Sequence, residues 1–388
     1  MPKYRFFAVC PRHTEALLAA ELESLGVPSG KQIAGGVAFD AETVDAMRVM
    51  LNSRIASNVL LKITSVICEN ETRLYETTCR IAWEKYFSVD KTIRVDLSAH
   101  RSPFESLDFA LLRVKDGICD RFRRVTGMRP DVEKTAPDVR IHVFLDGTTA
   151  TFYFNVSGDS LFKRGWRQEK GEAPLKENLA ASLIAMTEWD ATSPLMDLFC
   201  GSGTIAIEAA QKAISMAPGL ARHFAFENLT LFDADLFSEM KEDAKAKIRF
   251  DAPIRIHASD ISTIVVDKAR ANAFRAGLGP LMEDGRLTFE AKDARAATPV
   301  ASSGIIISNP PYGEQSNPKS ASVASMMKDV ADNLKHAFAG WDVYLLTSDR
   351  KLPREMRLAE SRKIEIYNGP LECRFFKFTM VAGSNRKA

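Results

Sequence analysis

Apolar positions in the first 156 residues alternate between strand-like and helix-like spacing. Residues 5–9 read as a strand, and 13–25 as a helix with Leu17, Leu18, Leu22 and Leu25 on one side, stopped by Gly26. A short strand at 37–39, a helix at 42–52 and a strand at 59–66 complete a first round. A second round runs through a helix at 74–87, a strand at 92–97 and a helix at 104–124. Segments 139–145 and 149–156 then flank Asp146-Gly147, the signature of a hairpin. This spacing predicts an α+β half with antiparallel pairing, arranged as two small ferredoxin-like layers in succession.

From 157 to about 171 the chain is polar, basic and glycine-containing, as expected of a boundary. Beyond it the rhythm changes to strand-then-helix crossovers. Strands are predicted at 195–199, 254–259, 287–291, 304–308 and 343–347, with helices from Thr204 and over 263–276. Segments 364–367 and 375–381 flank Asn368-Gly369-Pro370 as a terminal hairpin. Short β-rich runs separated by helices predict an α/β, mostly parallel, doubly wound sheet.

Composition narrows the class further. The 388 residues are 46% hydrophobic and 26% charged, which suits a soluble globular chain of two or three domains. No apolar run approaches the roughly 18 residues of a membrane span, and the N-terminus lacks the apolar core of a signal peptide. The six cysteines are far apart, without a Cys-x-x-Cys pair, and the histidines show no ligand spacing. No metal site or disulfide framework is therefore expected, and a reducing, cytoplasmic setting is. The net charge of +2 does not announce a nucleic-acid binder. Two local clusters, Arg121/Arg123/Arg124/Arg129 and Lys163/Arg164/Arg167/Lys170, read either as solvated surface or as a strip gathering phosphates.

The chemistry concentrates at strand ends. Asp197-Leu198-Phe199-Cys200-Gly201-Ser202-Gly203-Thr204 reads as a strand running into a glycine turn that opens a helix. In open α/β sheets ligands sit beyond the carboxyl ends of strands, near the point where strand order reverses. Gly201 and Gly203 let backbone approach a ligand, and a helix N-terminus faces an anionic group. With neither a G-x-G-x-x-G spacing nor a Walker lysine, a methionine carboxylate suits the turn better than a phosphate does. Taken alone, the octapeptide also suits an ordinary tight turn. Asp260 ends the next strand, where a carboxylate can accept both hydroxyls of a ribose or simply cap the helix after Ile261. Its distance from Gly203 far exceeds the usual ~20 residues, so 217–252 is expected to be an insertion. Asp293, beside Ala294, occupies the third strand end and can accept from an adenine amine or stand in a solvated loop. Asn178 opens a helix before the first strand and can close one side of the pocket, or serve only the helix end.

Asn309-Pro310-Pro311-Tyr312 follows the wholly apolar strand segment 305–307. The prolines end the strand and leave the Pro310 carbonyl free as an acceptor. An amine on an aromatic base is a poor nucleophile, because its lone pair is delocalised into the ring. Acceptors from the Asn309 side chain and the Pro310 carbonyl would bind both amine hydrogens and turn the lone pair toward a methyl donor, with Tyr312 stacked on the base. Together the two motifs describe a pocket for S-adenosylmethionine and a clamp for a planar exocyclic amine. A plain turn remains the bland alternative.

With these residues the chain resembles the class I S-adenosylmethionine-dependent RNA methyltransferases with an N-terminal THUMP domain. More narrowly it resembles the bacterial branch that methylates the exocyclic amine of a guanine in 23S ribosomal RNA. The resemblance rests on 157–167, 173–181, the Asp197 turn, Ala217-Pro218-Gly219, Ser259-Asp260-Ile261, Lys292-Asp293-Ala294, Asn309–Glu314 and 368–374. It implies a ferredoxin-like domain at 1–60, a THUMP RNA-binding domain at 61–157, a linker at 158–172 and a Rossmann-like methyltransferase domain at 173–388. It also implies a single methyl transfer. As site residues it implies Asn178, Asp197, Phe199, Cys200, Gly201, Gly203, Thr204, Asp260, Ile261, Asp293, Ala294 and Asn309 for the cofactor. Asn309, Pro310, Pro311 and Tyr312 are implied for catalysis. Two other readings stay open: a transfer RNA guanine as substrate, and a non-catalytic RNA-binding assembly factor on the same fold.

Overall fold

The computed structural model describes residues 2–28, 30–168, 175–311 and 320–382, with side chains from 323 onward in the last stretch. The chain divides into two units. Unit 1 comprises Met1–Cys10, Ala19–Leu161 and Arg222–Glu242, and unit 2 comprises Pro11–Leu18, Phe162–Ala221 and Asp243–Ala388.

The first elements are β1 (Tyr4–Val9), α1 (Glu15–Ser24), β2 (Gln32–Ile33), β3 (Gly36–Ala41), α2 (Thr43–Asn52) and β4 (Asn58–Ile67). They continue as α3 (Glu71–Arg80), β5 (Ile93–His100), α4 (Leu107–Thr126), β6 (Val139–Asp146) and β7 (Thr149–Asn155). The two expected layers are joined in one seven-stranded sheet, ordered β2-β3-β1-β4-β7-β6-β5. The ten-residue β4 joins them: it pairs with β1 through Asn58–Leu61 and with β7 through Leu60–Ile67, with a register shift between Lys62 and Thr64. Pairing is antiparallel except at β5 and β6, which are parallel because α4 crosses between them. Asn70 and Ser106 cap α3 and α4 by accepting from the N–H groups of Arg73 and Phe109. The helix expected over 74–87 stops at Arg80. Trp83 is fully buried in a short 3-10 turn, and its indole N–H takes the Thr78 carbonyl at 2.8 Å.

The insertion predicted at 217–252 contributes its middle to unit 1. There Phe226 is fully buried against Phe224, Phe232 and Phe237, with ring centroids 4.7–5.5 Å apart. The Arg222 guanidinium donates to the Ser160 and Asp159 carbonyls, each at 2.7 Å, and Phe226 N–H donates to Val156.

Unit 2 is built from α5 (Glu177–Met186), β8 (Leu195–Asp197), α6 (Thr204–Ala213), β9 (Ile256–Asp260), α8 (Thr263–Arg275) and α9 (Gly279–Glu283), α7 (Ala234–Ala246) lying in the insertion. β10 (Leu287–Ala291), β11 (Gly304–Ser308), α10 (Ser320–Ala337), β12 (Trp341–Thr347), α11 (Leu352–Met356), β13 (Arg362–Asn368) and β14 (Leu371–Thr379) complete it. Its sheet runs β10-β9-β8-β11-β12-β14-β13, parallel from β10 to β12, with the terminal hairpin added antiparallel. One apolar layer joins α5, α6 and α8 to the face carrying Ile256, Ile305 and Ile307. A second joins α10 to the face carrying Met196, Ile306, Val343 and Leu345. Strand order reverses between β8 and β11, so the carboxyl ends of those strands form the crevice. No helix among the described residues is long and apolar enough to cross a membrane.

The aromatic cluster of the insertion makes a stability prediction. Phe226→Ala should destabilise unit 1 by about 3–5 kcal/mol, the cost of emptying a packed aromatic site. Chemical denaturation followed by tryptophan fluorescence checks it, and a change below about 1 kcal/mol would show that the insertion is peripheral.

Candidate functional site

At the switch point one hydroxyl ties β8 to β11. Ser308 Oγ donates to Asp197 Oδ1 at 2.8 Å and accepts from Leu198 N–H at 2.8 Å. Asp197 Oδ1 also accepts from Phe199 N–H at 3.2 Å, so the carboxylate sets the backbone of the turn that follows it. The residue is 1% exposed, and Oδ2 is buried with no partner among the described residues. Burial pushes the carboxyl up to about 7, and the nearby charge of Asp260 adds to the rise.

The glycine turn is held from the neighbouring strand. Cys200 N–H donates to Ser259 O at 2.8 Å, and Gly201 N–H donates to Asp260 Oδ2 at 3.1 Å. Gly203 has φ +86° and stands as N-cap of α6. A Cβ there would lie 3.1 Å from both Ala269 and the Phe289 ring, so both backbone shape and packing require glycine. Gly201 has φ +51°, but a Cβ added to it would meet nothing within 4 Å. The turn is thus tight behind Gly203 and open before Gly201. An open cradle, an orphaned carboxylate oxygen and the N-terminus of a ten-residue helix fit the methionine end of the expected cofactor.

Asp260 caps its own turn, accepting from Ser262 N–H through Oδ1 at 3.1 Å, and keeps lone pairs on both oxygens. Beside it the apolar side chain of Ile261 is 71% exposed. Lys292 N–H donates to Asp260 O at 2.9 Å, which brings the β10 end to the β9 end. Asp293 accepts from Arg295 N–H at 2.8 Å and faces the Arg295 guanidinium, which holds its carboxyl below the usual range. Cap and ion pair therefore occupy much of its accepting capacity. Ala294 is buried next to it, Phe199 is half-buried, and Cys200 and Thr204 are buried. Asn309 follows Ser308 directly and is half-buried, Pro310 is buried and Pro311 exposed. Tyr312 lies outside the described residues. Asp197, the glycine turn, Asp260, Asp293 and Asn309 thus share the carboxyl edge of one sheet.

Sequence reasoning missed Arg167 as a member of this group. Its guanidinium donates to Glu177 Oε1 at 2.9 Å, Ser202 Oγ at 3.1 Å, Leu175 O at 3.1 Å and Thr204 Oγ1 at 2.7 Å. It joins the start of α5, where Asn178 is buried, to both hydroxyls flanking Gly203. Arg164 is buried too, with its side chain 2% exposed and paired to Glu208, 0% exposed, at 3.1 Å. The basic run at 163–167 is therefore not a phosphate-gathering strip at Arg164 and Arg167. Both are internal ties, because unit 2 buries acids opposite them. The visible signal was a lone acid in each of two alanine-rich helices, Glu177 and Glu208. Lys170 lies outside the described residues. Among the described residues no cluster of His, Cys, Asp or Glu is gathered as for a metal ion.

Residues 164–377, more than half the chain, match the family described as RMKL-like, methyltransferase domain. The chain belongs to this methyltransferase family. Within this RMKL-like chain, residues 68–155 match the THUMP domain and 5–60 the RlmL ferredoxin-like domain. The ribosomal RNA large subunit methyltransferase K/L of Shewanella frigidimarina is 36% identical over 389 residues, covering 99% of this chain and 54% of the relative. The chain thus spans about half the length of the curated relatives it matches. Among solved structures, a possible methylase from Clostridium difficile 630 is 30% identical with a TM-score of 0.88, covering 99% of this chain and all of the other. A putative methyltransferase complexed with SAH, SMU.472, is 26% identical with a TM-score of 0.89, covering 99% of this chain and 100% of its own.

Two predictions follow from this geometry in the RMKL-like domain. An acid whose folded pKa is raised favours the folded state while protonated. That contribution is complete below the ordinary value of 3.8 and is lost as pH rises toward about 7. Asp197→Asn should therefore flatten the fall of the melting temperature over this window and be no less stable than the parent at pH 8. A steeper fall in the variant would mean that Asp197 is ionised in the ligand-free protein. Arg167→Lys keeps a charge beside Glu177 but loses the fork that reaches Ser202 and Thr204. It should cost about 1–3 kcal/mol of S-adenosylmethionine affinity by calorimetry, and unchanged affinity would remove Arg167 from the site.

Proposed function

We propose that this protein transfers a methyl group from S-adenosylmethionine to the exocyclic N2 amine of a guanine in 23S ribosomal RNA. The observation that carries the reading is the β11 end, where Asn309 and Pro310 follow Ser308, itself bonded to Asp197 across the switch point. The bound cofactor supplies an electrophilic methyl on a cationic sulfur. Asp260, with Ile261 exposed beside it, holds the ribose and adenine end, and Asp293 borders the adenine. Asp197 Oδ2 is the buried acceptor nearest the methionine end, and Asn178 closes that side with Arg167 behind it.

Asn309 and Pro310 do the work on the target. The Asn309 side-chain oxygen and the Pro310 carbonyl accept the two amine hydrogens. That draws the nitrogen lone pair out of conjugation and aims it in line with the methyl. The amine proton is shed after transfer, when the nitrogen has become acidic, so no strong base is required. Pro311 stiffens the turn, and Tyr312 is assigned to stacking on the base. The base must leave its stack to reach this edge, so a loop or partly unfolded RNA is the better substrate.

Support for RNA comes from the THUMP match and from relatives named as ribosomal RNA large subunit methyltransferases. Support for the cofactor comes from the relative solved with SAH. On this reading the protein works where ribosomes are assembled, in the cytoplasm. The test is incubation with methyl-labelled cofactor and unmodified 23S ribosomal RNA, followed by mass-spectrometric mapping. N2-methylguanine at one position is expected; label on adenine, on a ring carbon or on protein overturns the assignment. Asn309→Ala should lower turnover by about 10²-fold or more with cofactor affinity nearly unchanged, as loss of a positioning contact does. An equal loss of cofactor affinity would place Asn309 in binding instead.

A further inference from the structure

Beyond the transfer site, the carboxyl edge of unit 2 carries a second group of side chains around the β13–β14 hairpin. The register fixes where this hairpin stands. Ser308 is level with Leu345, Thr347 is level with Arg374, and Glu372 is level with Tyr367. Tyr367 therefore sits about 13 Å further along the strand direction than Ser308 and about 14 Å to the side, at ~3.3 Å per residue and ~4.8 Å per strand. That separation is a reach of several nucleotides from the amine clamp, on the same edge of the sheet.

The segment Pro11–Leu18 belongs to unit 2 and presents two side chains to Tyr367. The Arg12 guanidinium carbon lies 5.9 Å from the Tyr367 ring centroid, and the His13 ring lies 5.3 Å from it, tilted by 35°. His13 Nε2 is 3.7 Å from Glu365. This display is rigid. Thr14 is fully buried and donates both its N–H and its hydroxyl to the Pro11 carbonyl, at 3.2 and 2.7 Å. His13 has φ +70°, a left-handed conformation that a residue with a Cβ adopts only under strain. A turn held in that shape with both tips exposed points to a recognition role.

The cations here outreach the acids. Arg374 is mostly buried and is held by both Glu365 and Glu372. Arg350, 66% exposed, shares Glu372. Arg12 and Lys351 are exposed; the Lys351 N–H donates to Asp349 Oδ1 at 2.8 Å and its ammonium faces the Glu355 carboxyl, leaving its tip open to solvent. The group combines outward cations with an aromatic pair, which is the chemistry of a grip on unstacked nucleic acid.

We propose that Arg12, His13, Tyr367, Arg350 and Lys351 form a lip that holds the RNA strand flanking the target guanine. The cations take phosphates, and Tyr367 with His13 takes one unstacked base. This rests on the proposed RNA substrate and adds to it where the strand runs as it leaves the clamp.

The test uses the full chain and an unmodified 23S ribosomal RNA transcript, with binding measured over a range of salt. Arg12→Ala combined with Lys351→Ala should weaken binding and reduce the slope of log affinity against log salt by about two, one for each phosphate contact. Tyr367→Ala should weaken binding about 5- to 100-fold, and Tyr367→Phe should retain it, as stacking requires. S-adenosylmethionine affinity, unchanged in every variant, shows that unit 2 is folded. A double variant with the parent's affinity and slope overturns the lip, whatever its methylation. A parent protein that binds the transcript with these variant effects but labels no guanine overturns the proposed function and leaves the lip standing. A parent that binds no RNA overturns both.

Discussion

The bond between Ser308 and Asp197 is the constraint on which the rest of unit 2 depends. β8 has only three residues, and its ladder to β11 is limited to Leu195 and Met196 against Ile305 and Ile306, so the ladder alone holds the two ends loosely. By donating to Asp197 and accepting from Leu198 N–H, the Ser308 hydroxyl fixes both strand ends at once. The glycine turn leaves from one of those ends and Asn309 from the other. Their separation is therefore set by one side chain with two full hydrogen bonds in a dry place, where such bonds are strong and their loss is costly. A threonine could make the same bonds but would add a methyl to a site already fully buried.

That constraint has a cost that the pocket turns to use. An acid is held in the core with one oxygen orphaned, and burial raises its pKa to about 7. Asp260 adds a second carboxylate nearby, which makes Asp197 harder still to ionise. A folded domain built only for stability would replace such a pair by apolar residues. The family to which the chain belongs explains why it is retained, because S-adenosylmethionine carries both a sulfonium and an ammonium. The same argument covers Gly201, whose open side does nothing for packing.

Much of this was legible in the sequence because it is local. Asp197–Thr204 and Asn309–Pro311 announce a turn and a strand end from their own residues, and β10 and β11 fall where their apolar runs place them. What could not be read depends on partners distant in the chain. Arg164 and Arg167 look like surface cations until Glu208 and Glu177 come to face them from helices that are buried over most of their length. Two separate layers were expected in unit 1 because each hydrophobic round is complete in itself. Only the length of β4, with its shift at Lys62, lets one strand serve both. Trp83 ends α3 for a related reason: a buried indole N–H needs an acceptor, and the nearest carbonyl belongs to the helix itself.

The division of labour at the carboxyl edge then has a simple electrostatic logic. Acids gather where a cationic cofactor is expected, at β8, β9 and β10, on one side of the switch point. Beyond β11 toward the hairpin come neutral acceptors first and then exposed cations, which reach past Glu365 and Glu372 between them. On the proposed reading a neutral amine needs two acceptors, and the Asn309 side chain and Pro310 carbonyl would supply them without adding a charge. A polyanionic strand requires cations, and Arg12, Arg350 and Lys351 stand where such a strand would leave the clamp. An acid at position 309 would place a negative charge between the two regions and repel the strand as its base entered. The order of side chains across the sheet, acids, then neutral acceptors, then cations, follows the order in which a cationic donor, a neutral base and a phosphate backbone would lie.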